Sequence, residues 1–226
     1  MQIGVYGAGY LGTVISACLA DFGTPVTCCH PDSSRMVDMA QGKVPFHEKN
    51  LSEIIRRNVR SGRLSYSTDV EAFARKAGVI FLAEDNPQQL SDLVLRISRS
   101  VSKPPILSIV TPVPVGTGAA MEQKIADAGL KAIVVSQPIF FTAGCAVEDF
   151  NWPDRIILGT TSNDAVAAIK QIFHPLVMRG VPVIVTNHAT AELVREAATA
   201  FVATKLAKSI VTVSCAALRC SLSLRS

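Results

Sequence analysis

Gln2-Ile3-Gly4-Val5-Tyr6-Gly7-Ala8-Gly9-Tyr10-Leu11-Gly12 is a short apolar run that ends in the pattern G-x-G-x-x-G, and an apolar, helix-like stretch continues through Ala20. In a strand, turn and helix of this kind, Gly7 permits the tight turn, Gly9 lets the backbone approach a pyrophosphate, and Gly12 lets helix and strand pack closely. The helix N-terminus adds N–H groups and a positive dipole. The motif predicts a dinucleotide site, with a purely structural glycine-rich turn as the alternative. Its residues are Gly7, Ala8, Gly9, Tyr10, Leu11 and Gly12.

Short runs rich in valine and isoleucine recur along the chain and alternate with stretches of helical period. They lie at residues 2–6, 25–29, 79–83, 106–110, 132–135, 156–159 and 181–185. Strands of a parallel sheet that is covered on both faces are continuously apolar, as these are. The predicted fold class is therefore α/β: a doubly wound, mostly parallel Rossmann-type sheet followed by a long C-terminal helix.

The last part of the sequence differs from the rest. From Ala189 to Ser226 it is rich in alanine and contains neither glycine nor proline. We predict a dinucleotide-binding domain at residues 1–188 and a connecting or dimerisation helix, truncated, at residues 189–226. Because polar positions on this helix are few, it needs a partner surface, and a homodimer is expected.

Composition excludes several classes of protein. The 226 residues are 49% apolar with a net charge of +4, and the basic residues are scattered, so nucleic acid is not an expected partner. The cysteines form no C-x-x-C pair and no zinc spacing, which predicts no metal and no disulfide framework. Without a signal peptide or an uninterrupted apolar span, the chain is expected to be cytoplasmic and to have no membrane contact.

The residue at the tip of the second predicted strand is His30, where a dinucleotide site usually has an acid for the adenosine ribose. Asp32 could substitute for that acid. Alternatively, the hydroxyls that follow and Arg35 could accept a 2′-phosphate, which would favour NADP over NAD. A third interpretation is that His30 faces solvent and binds nothing. We assign His30 and Arg35 to the cofactor site, with NAD as the expected cofactor and NADP as the alternative.

The order of several motifs resembles the UDP-glucose and GDP-mannose dehydrogenase family. They include Gly42-Lys43-Val44-Pro45, Val113-Pro114-Val115-Gly116-Thr117 and Gly144-Cys145-Ala146-Val147-Glu148-Asp149-Phe150. Further matches lie at residues 58–64, 68–69, 153–159, 191–194 and 203–205, so the resemblance covers nearly residues 1–213. It corresponds to the N-terminal half of the family's chain. The resemblance implies NAD-dependent oxidation of a nucleotide sugar, with that sugar as a possible ligand.

The resemblance also implies catalytic residues that this sequence lacks. The family's glutamate falls on Ile139, a threonine that positions water and cofactor falls on Pro112, and the lysine and asparagine of the connecting helix fall on Arg195 and Thr199. The nucleophilic cysteine belongs to a C-terminal region without a counterpart here. Cys145 is expected to be a small buried residue, and His188 a cap or surface residue. The segment Glu84-Asp85 is expected to be a solvated loop.

These observations lead to two functional hypotheses. The preferred one is a nucleotide-sugar dehydrogenase homologue with a retained dinucleotide-binding fold and impaired or absent catalysis. The alternative is a non-catalytic interaction or regulatory protein that dimerises through its C-terminal helix. A simple reductase with Arg195 orienting the substrate is a third possibility, for which the sequence offers no general base.

Overall fold

A computed structural model describes residues 2–84 and 86–223, and their side chains except those of residues 87, 206 and 209–223. The strands are β1 (Ile3–Tyr6), β2 (Val26–Cys29), β3 (Leu64–Ser67), β4 (Val79–Leu82), β5 (Ile106–Ile109), β6 (Ile133–Ser136), β7 (Ile156–Gly159) and β8 (Val183–Thr186). The helices are α1 (Tyr10–Asp21), α2 (Ser33–Ala40), α3 (Leu51–Arg60), α4 (Val70–Lys76), α5 (Pro87–Ser100), α6 (Thr117–Asp127), α7 (Ala146–Asn151), α8 (Asn163–Ile172), α9 (His174–Val177) and α10 (His188–Ser223).

The strands form one sheet in the order β3-β2-β1-β4-β5-β6-β7-β8. Pairing is parallel from β3 through β6, β7 joins β6 in the antiparallel sense at Ser136 and Gly159, and β8 is parallel to β7. The strand order reverses at β1, which lies between β2 and β4. The predicted doubly wound fold is confirmed, and the reversal places a crevice at the carboxyl ends of β1 and β4.

Both faces of the sheet are buried, as strand β4 shows. Val79 and Phe81 belong to the core beneath α1, α3, α7 and α8, whereas Ile80 and Leu82 belong to the core beneath α4, α5 and α6. All four side chains are fully inaccessible to solvent. Two covered faces explain why this strand is continuously apolar in sequence.

Strand β3 was not predicted from the sequence. Its residues are Leu64-Ser65-Tyr66-Ser67, and only Leu64 is buried, because β3 forms an edge of the sheet. Three of its four side chains carry a hydroxyl group, so no apolar run marks it. It is positioned by parallel pairing with β2 rather than by a hydrophobic pattern of its own.

Helix α10 is anchored to the domain by a buried carboxylate at its start. Glu192 accepts hydrogen bonds from Gly116 N (2.6 Å), Gly118 N (2.7 Å) and Ser136 Oγ (2.8 Å), and it is 5% exposed. It therefore pairs orphan N–H groups at the start of α6. His188 lies 2.9 Å from the Ser136 hydroxyl through Nδ1 and 3.3 Å from Glu122 through Nε2. The prediction of a surface position for His188 is wrong, because this polar cluster buries the ring. The alternative of a capping role is not met either, since Asn187 Oδ1 accepts from Thr190 N (2.8 Å) at the start of α10.

Within the described part of the chain, no helix has both the length and the apolar character that crossing a bilayer requires. Nor do the described residues contain a group of three or more histidine, cysteine or acidic side chains placed to share a metal ion.

Candidate dinucleotide-binding site

The glycine loop between β1 and α1 is built as its sequence predicts. Gly7 has a φ of +123°, and a Cβ on it would lie 2.4 Å from the Ala83 carbonyl oxygen. A Cβ on Gly12 would lie 2.1 Å from the Gly7 carbonyl oxygen, so the helix sits too close to the loop for any side chain. A Cβ on Gly9, which begins α1, would meet nothing within 4 Å. Gly7 and Gly12 therefore shape the turn, and Gly9 leaves open space in front of the helix N-terminus.

The remaining residues of the loop support it from behind. Ala8 is buried beside Cys28, and the Tyr10 ring packs on Phe46 with its centroid 4.9 Å away. Leu11 is half-buried and packs against the main core. The loop is thus fixed by the domain interior, as a phosphate cradle must be if it is formed before the ligand arrives.

Glu48 is a site residue that the sequence analysis missed. Its carboxylate is 6% exposed and accepts hydrogen bonds from the Tyr10 hydroxyl, Gly144 N (2.6 Å) and Ala146 N (3.0 Å). Burial and the bond to Glu48 raise the pKa of Tyr10 to about 12. Through these contacts Glu48 links the glycine loop to the start of α7. No motif marks Glu48, because its partners are contributed by segments far away in the sequence.

The far wall of the crevice is formed after β4 and β5. Thr111 donates a hydrogen bond to the Glu84 carbonyl (3.0 Å), and the Glu84 carboxylate accepts one from Asn86 N (3.0 Å). Asn86 in turn caps α5 by accepting from the backbone of Gln88 and Gln89. The Glu84 side chain is therefore engaged by its own loop, although it is half-buried rather than fully solvated. Asp85 lies outside the described residues.

The tip of β2 brings together His30, Asp32 and Arg35. Asp32 caps α2, since its Oδ1 accepts from Ser34 Oγ (2.7 Å) and Arg35 N (3.1 Å). His30 Nδ1 accepts from Asp32 N (3.1 Å). Partial burial and the nearby charge of Arg35 lower the pKa of His30, so the ring is neutral at pH 7. The end of the crevice where an adenosine ribose is usually bound thus has a neutral imidazole at the tip of the strand and a guanidinium close by.

A separate pocket of about 410 Å³ is lined partly by Ile139, Arg195 and Thr199. Arg195 donates a hydrogen bond to the Ile139 carbonyl, and Thr199 donates one to the Arg195 carbonyl (3.1 Å). Pro112 lies outside this pocket, but it shares a small adjoining recess with Arg195. The fold therefore brings together three of the four positions where the resemblance placed catalytic groups.

Residues 1–177 match the model of the UDP-glucose/GDP-mannose dehydrogenase family, NAD binding domain. The chain belongs to this family. It is 32% identical to the UDP-glucose 6-dehydrogenase of Rhizobium meliloti over 220 residues, which cover 91% of this chain and 50% of that enzyme. It is also 32% identical to the UDP-glucose 6-dehydrogenase TuaD of Bacillus subtilis, over 91% of this chain and 46% of that enzyme. The chain thus spans about half the length of these dehydrogenases.

Solved structures of family members have the same fold. A UDP-glucose dehydrogenase from Pyrobaculum islandicum aligns with a TM-score of 0.81 at 26% identity, over 88% of this chain and 49% of that one. GDP-mannose dehydrogenase from Pseudomonas aeruginosa, solved as a ternary complex, aligns with a TM-score of 0.84 at 22% identity, over 91% of this chain and 51% of that one. The second likeness, at its lower identity, bears on the fold alone.

The two ends of the crevice compare differently with the usual pattern of a dinucleotide-binding domain. The open space at Gly9 and the helix N-terminus behind it suit a pyrophosphate. The usual acid for the ribose is absent, because His30 stands at the strand tip and Asp32 is used as a helix cap. Ala8, Tyr10, Leu11, His30 and Arg35 remain predicted cofactor contacts.

Cys145 corrects one of the sequence predictions. It was expected to be a small buried residue, but its side chain is exposed at the start of α7. The reason is a contact with a distant segment: Glu48 accepts hydrogen bonds from Gly144 N and Ala146 N on the interior side, and the residue between them turns outwards. Cys18, Cys28 and Cys29 are buried free thiols. The side chains of Cys215 and Cys220 lie outside the described residues.

Proposed function

We propose that this chain binds a nicotinamide dinucleotide in the crevice at the carboxyl ends of β1 and β4, as the cofactor-binding half of a nucleotide-sugar dehydrogenase does. The observation that carries the proposal is the contrast among the three glycines. Gly7 and Gly12 are packed against backbone, whereas Gly9 faces open space at the N-terminus of α1. That combination suits a bound pyrophosphate. A tight turn alone would not require the open space at Gly9 in front of the helix N-terminus. When bound, such a cofactor supplies hydride transfer.

The proposal extends to catalysis, which we expect to be impaired or absent in this chain. Ile139 cannot transfer a proton in the position where the family has glutamate. Nη1 of Arg195 donates to the Ile139 carbonyl, and the Thr199 hydroxyl donates to the Arg195 carbonyl, so these two donors have backbone partners. Arg195 keeps the positive charge of the family's lysine, but its planar guanidinium differs in shape and hydration from a compact ammonium. The pocket thus retains a cation without a general base at the family's position.

Calorimetric titration of the purified chain with NAD and with NADP at fixed salt should show micromolar binding of at least one of them. Addition of UDP-glucose to the complex should then produce no reduced nicotinamide, measured by its absorbance. Failure of both dinucleotides to bind at millimolar concentration would overturn the proposed site. Reduction of the cofactor would overturn the proposed loss of catalysis while leaving the site intact.

Exposed apolar side chains on α10 favour the second candidate function, association through this helix. Leu193, Phe201 and Val202 are 54%, 62% and 56% exposed, although all three are large and apolar. Such residues along one helix are typical of a surface that a partner covers. We propose a second copy of the chain as that partner, as expected from the sequence.

Substitution Phe201→Glu should convert a dimer to a monomer, because it places a charge in the proposed interface. Light scattering coupled to size-exclusion chromatography would measure the mass. The matched control is Val37→Glu, which introduces the same charge at an exposed valine of α2 and should leave the mass unchanged. A monomeric unsubstituted chain at micromolar concentration would count against self-association.

A further inference from the structure

At the adenosine end of the crevice, the tip of β2 presents a hydrogen-bond donor where a dinucleotide site usually has an acid. Because His30 Nδ1 accepts a hydrogen bond from Asp32 N, the proton of the neutral ring is on Nε2. Nε2 is therefore a donor. The Arg35 side chain is exposed in the first turn of α2, and its charge acts on His30. A guanidinium is also a donor and carries no acceptor.

The carboxylates whose charges act on His30, those of Asp32 and Glu84, each have one oxygen hydrogen-bonded within their own segment. Asp32 Oδ1 accepts from Ser34 Oγ and Arg35 N at the start of α2. Glu84 Oε1 accepts from Asn86 N in the loop before α5. A ribose with free 2′- and 3′-hydroxyls is usually bound by a carboxylate that accepts from both. Each acid has one oxygen engaged in this way, so neither offers a ribose the two unengaged oxygens of that arrangement, and the strand tip itself has no acid.

We propose that this site selects a dinucleotide carrying a 2′-phosphate, with His30 and Arg35 as the residues that determine this specificity. The inference rests on the proposed dinucleotide binding. A phosphate offers several acceptor oxygens and negative charge, which match an imidazole N–H and a guanidinium. The same donors gain less from a neutral ribose hydroxyl, because hydrogen bonds to a charged acceptor are stronger. An aspartate at position 30 would repel the phosphate and accept hydrogen bonds from the ribose hydroxyls. The residue at position 30 therefore decides whether the site prefers NADP or NAD.

Calorimetric titration of NADP and NAD against the unsubstituted chain, at one fixed salt concentration, tests the inference. We expect NADP to bind about tenfold or more tightly than NAD, since a hydrogen bond to a charged group changes affinity by roughly tenfold to a hundredfold. In His30→Asp the order should reverse. In Arg35→Ala the affinity for NADP should fall by about tenfold or more, and that for NAD by less than about threefold.

Controls separate this inference from the proposed function. Arg75→Ala removes an exposed arginine of α4, away from the strand tip, and should change neither affinity. Thermal unfolding of each variant establishes that it folds, as expected for exposed or half-exposed positions. Equal affinities, or tighter binding of NAD, would overturn the inference and leave dinucleotide binding standing. Binding of neither cofactor would overturn both.

Discussion

Gly12→Ala should abolish dinucleotide binding and also destabilise the fold. The new Cβ would lie 2.1 Å from the Gly7 carbonyl oxygen and 2.8 Å from its carbon, and both are backbone atoms that cannot rotate away. Helix α1 would have to move off β1, where its neighbours Thr13 and Val14 are fully or almost fully buried. Overpacking of this kind costs about 1–3 kcal/mol. Denaturant unfolding would measure the loss, and calorimetry the binding.

The matched variant is Gly9→Ala, which adds the same methyl group to the same loop. Gly9 has a φ of −77°, which alanine adopts, and its Cβ would meet nothing within 4 Å. Stability should therefore stay within about 0.5 kcal/mol of the unsubstituted chain or rise slightly. Affinity for the dinucleotide should still fall by about tenfold or more, because the methyl group occupies the space that a pyrophosphate needs. If Gly9→Ala binds dinucleotide as well as the unsubstituted chain, the ligand does not lie on this loop.

Glu48→Ala should lower the free energy of unfolding by about 3 kcal/mol. The substitution leaves the Tyr10 hydroxyl, Gly144 N and Ala146 N without their acceptor. Each unpaired buried donor costs about 1–3 kcal/mol, and partial access of solvent to Tyr10 and Gly144 reduces the total. Equilibrium unfolding in urea is the measurement. The slope of the transition indicates whether the two-state description holds for both proteins.

The control for this prediction is Glu53→Ala on α3, where the carboxylate is exposed in the first turn of the helix. Its removal should cost no more than about 0.5 kcal/mol, the value of an exposed charge near a helix N-terminus. Equal effects of Glu48→Ala and Glu53→Ala would show that the contacts of Glu48 contribute nothing beyond an ordinary surface carboxylate. That result would overturn the interpretation that Glu48 joins the glycine loop to α7.

Much of the architecture could be predicted because the sheet is covered on both faces. The covered strands are continuously apolar, and helical stretches separate them, so pattern alone indicated a parallel, doubly wound sheet. The polar edge strand β3 was missed for the same reason, since Ser65, Tyr66 and Ser67 carry no apolar run. A local pattern detects burial, whereas β3 is placed by pairing with its neighbour.

The sequence also misled at Cys145 and His188, because burial of a single residue depends on partners far along the chain. Cys145 turns outwards between two amides that bind Glu48, a residue of a distant segment. His188 is buried where its Nδ1 forms a hydrogen bond with the hydroxyl of Ser136, a residue 52 positions earlier in the chain. In each case the deciding contact is a directional hydrogen bond between residues that no spacing rule connects.

By itself, the sequence determined the glycine loop, the alternation of strands and helices, and the family to which the chain belongs. These features depend on steric limits between neighbouring residues and on the order of residue types along the chain. Only the tertiary structure decided which groups meet. It brought the Glu48 carboxylate into contact with the Tyr10 hydroxyl and placed Ile139, Arg195 and Thr199 around one pocket. It also made Asp32 the cap of α2 next to His30. The physical reason is that hydrogen-bond partners and charge environments are fixed by distance in space, which the folded chain alone specifies.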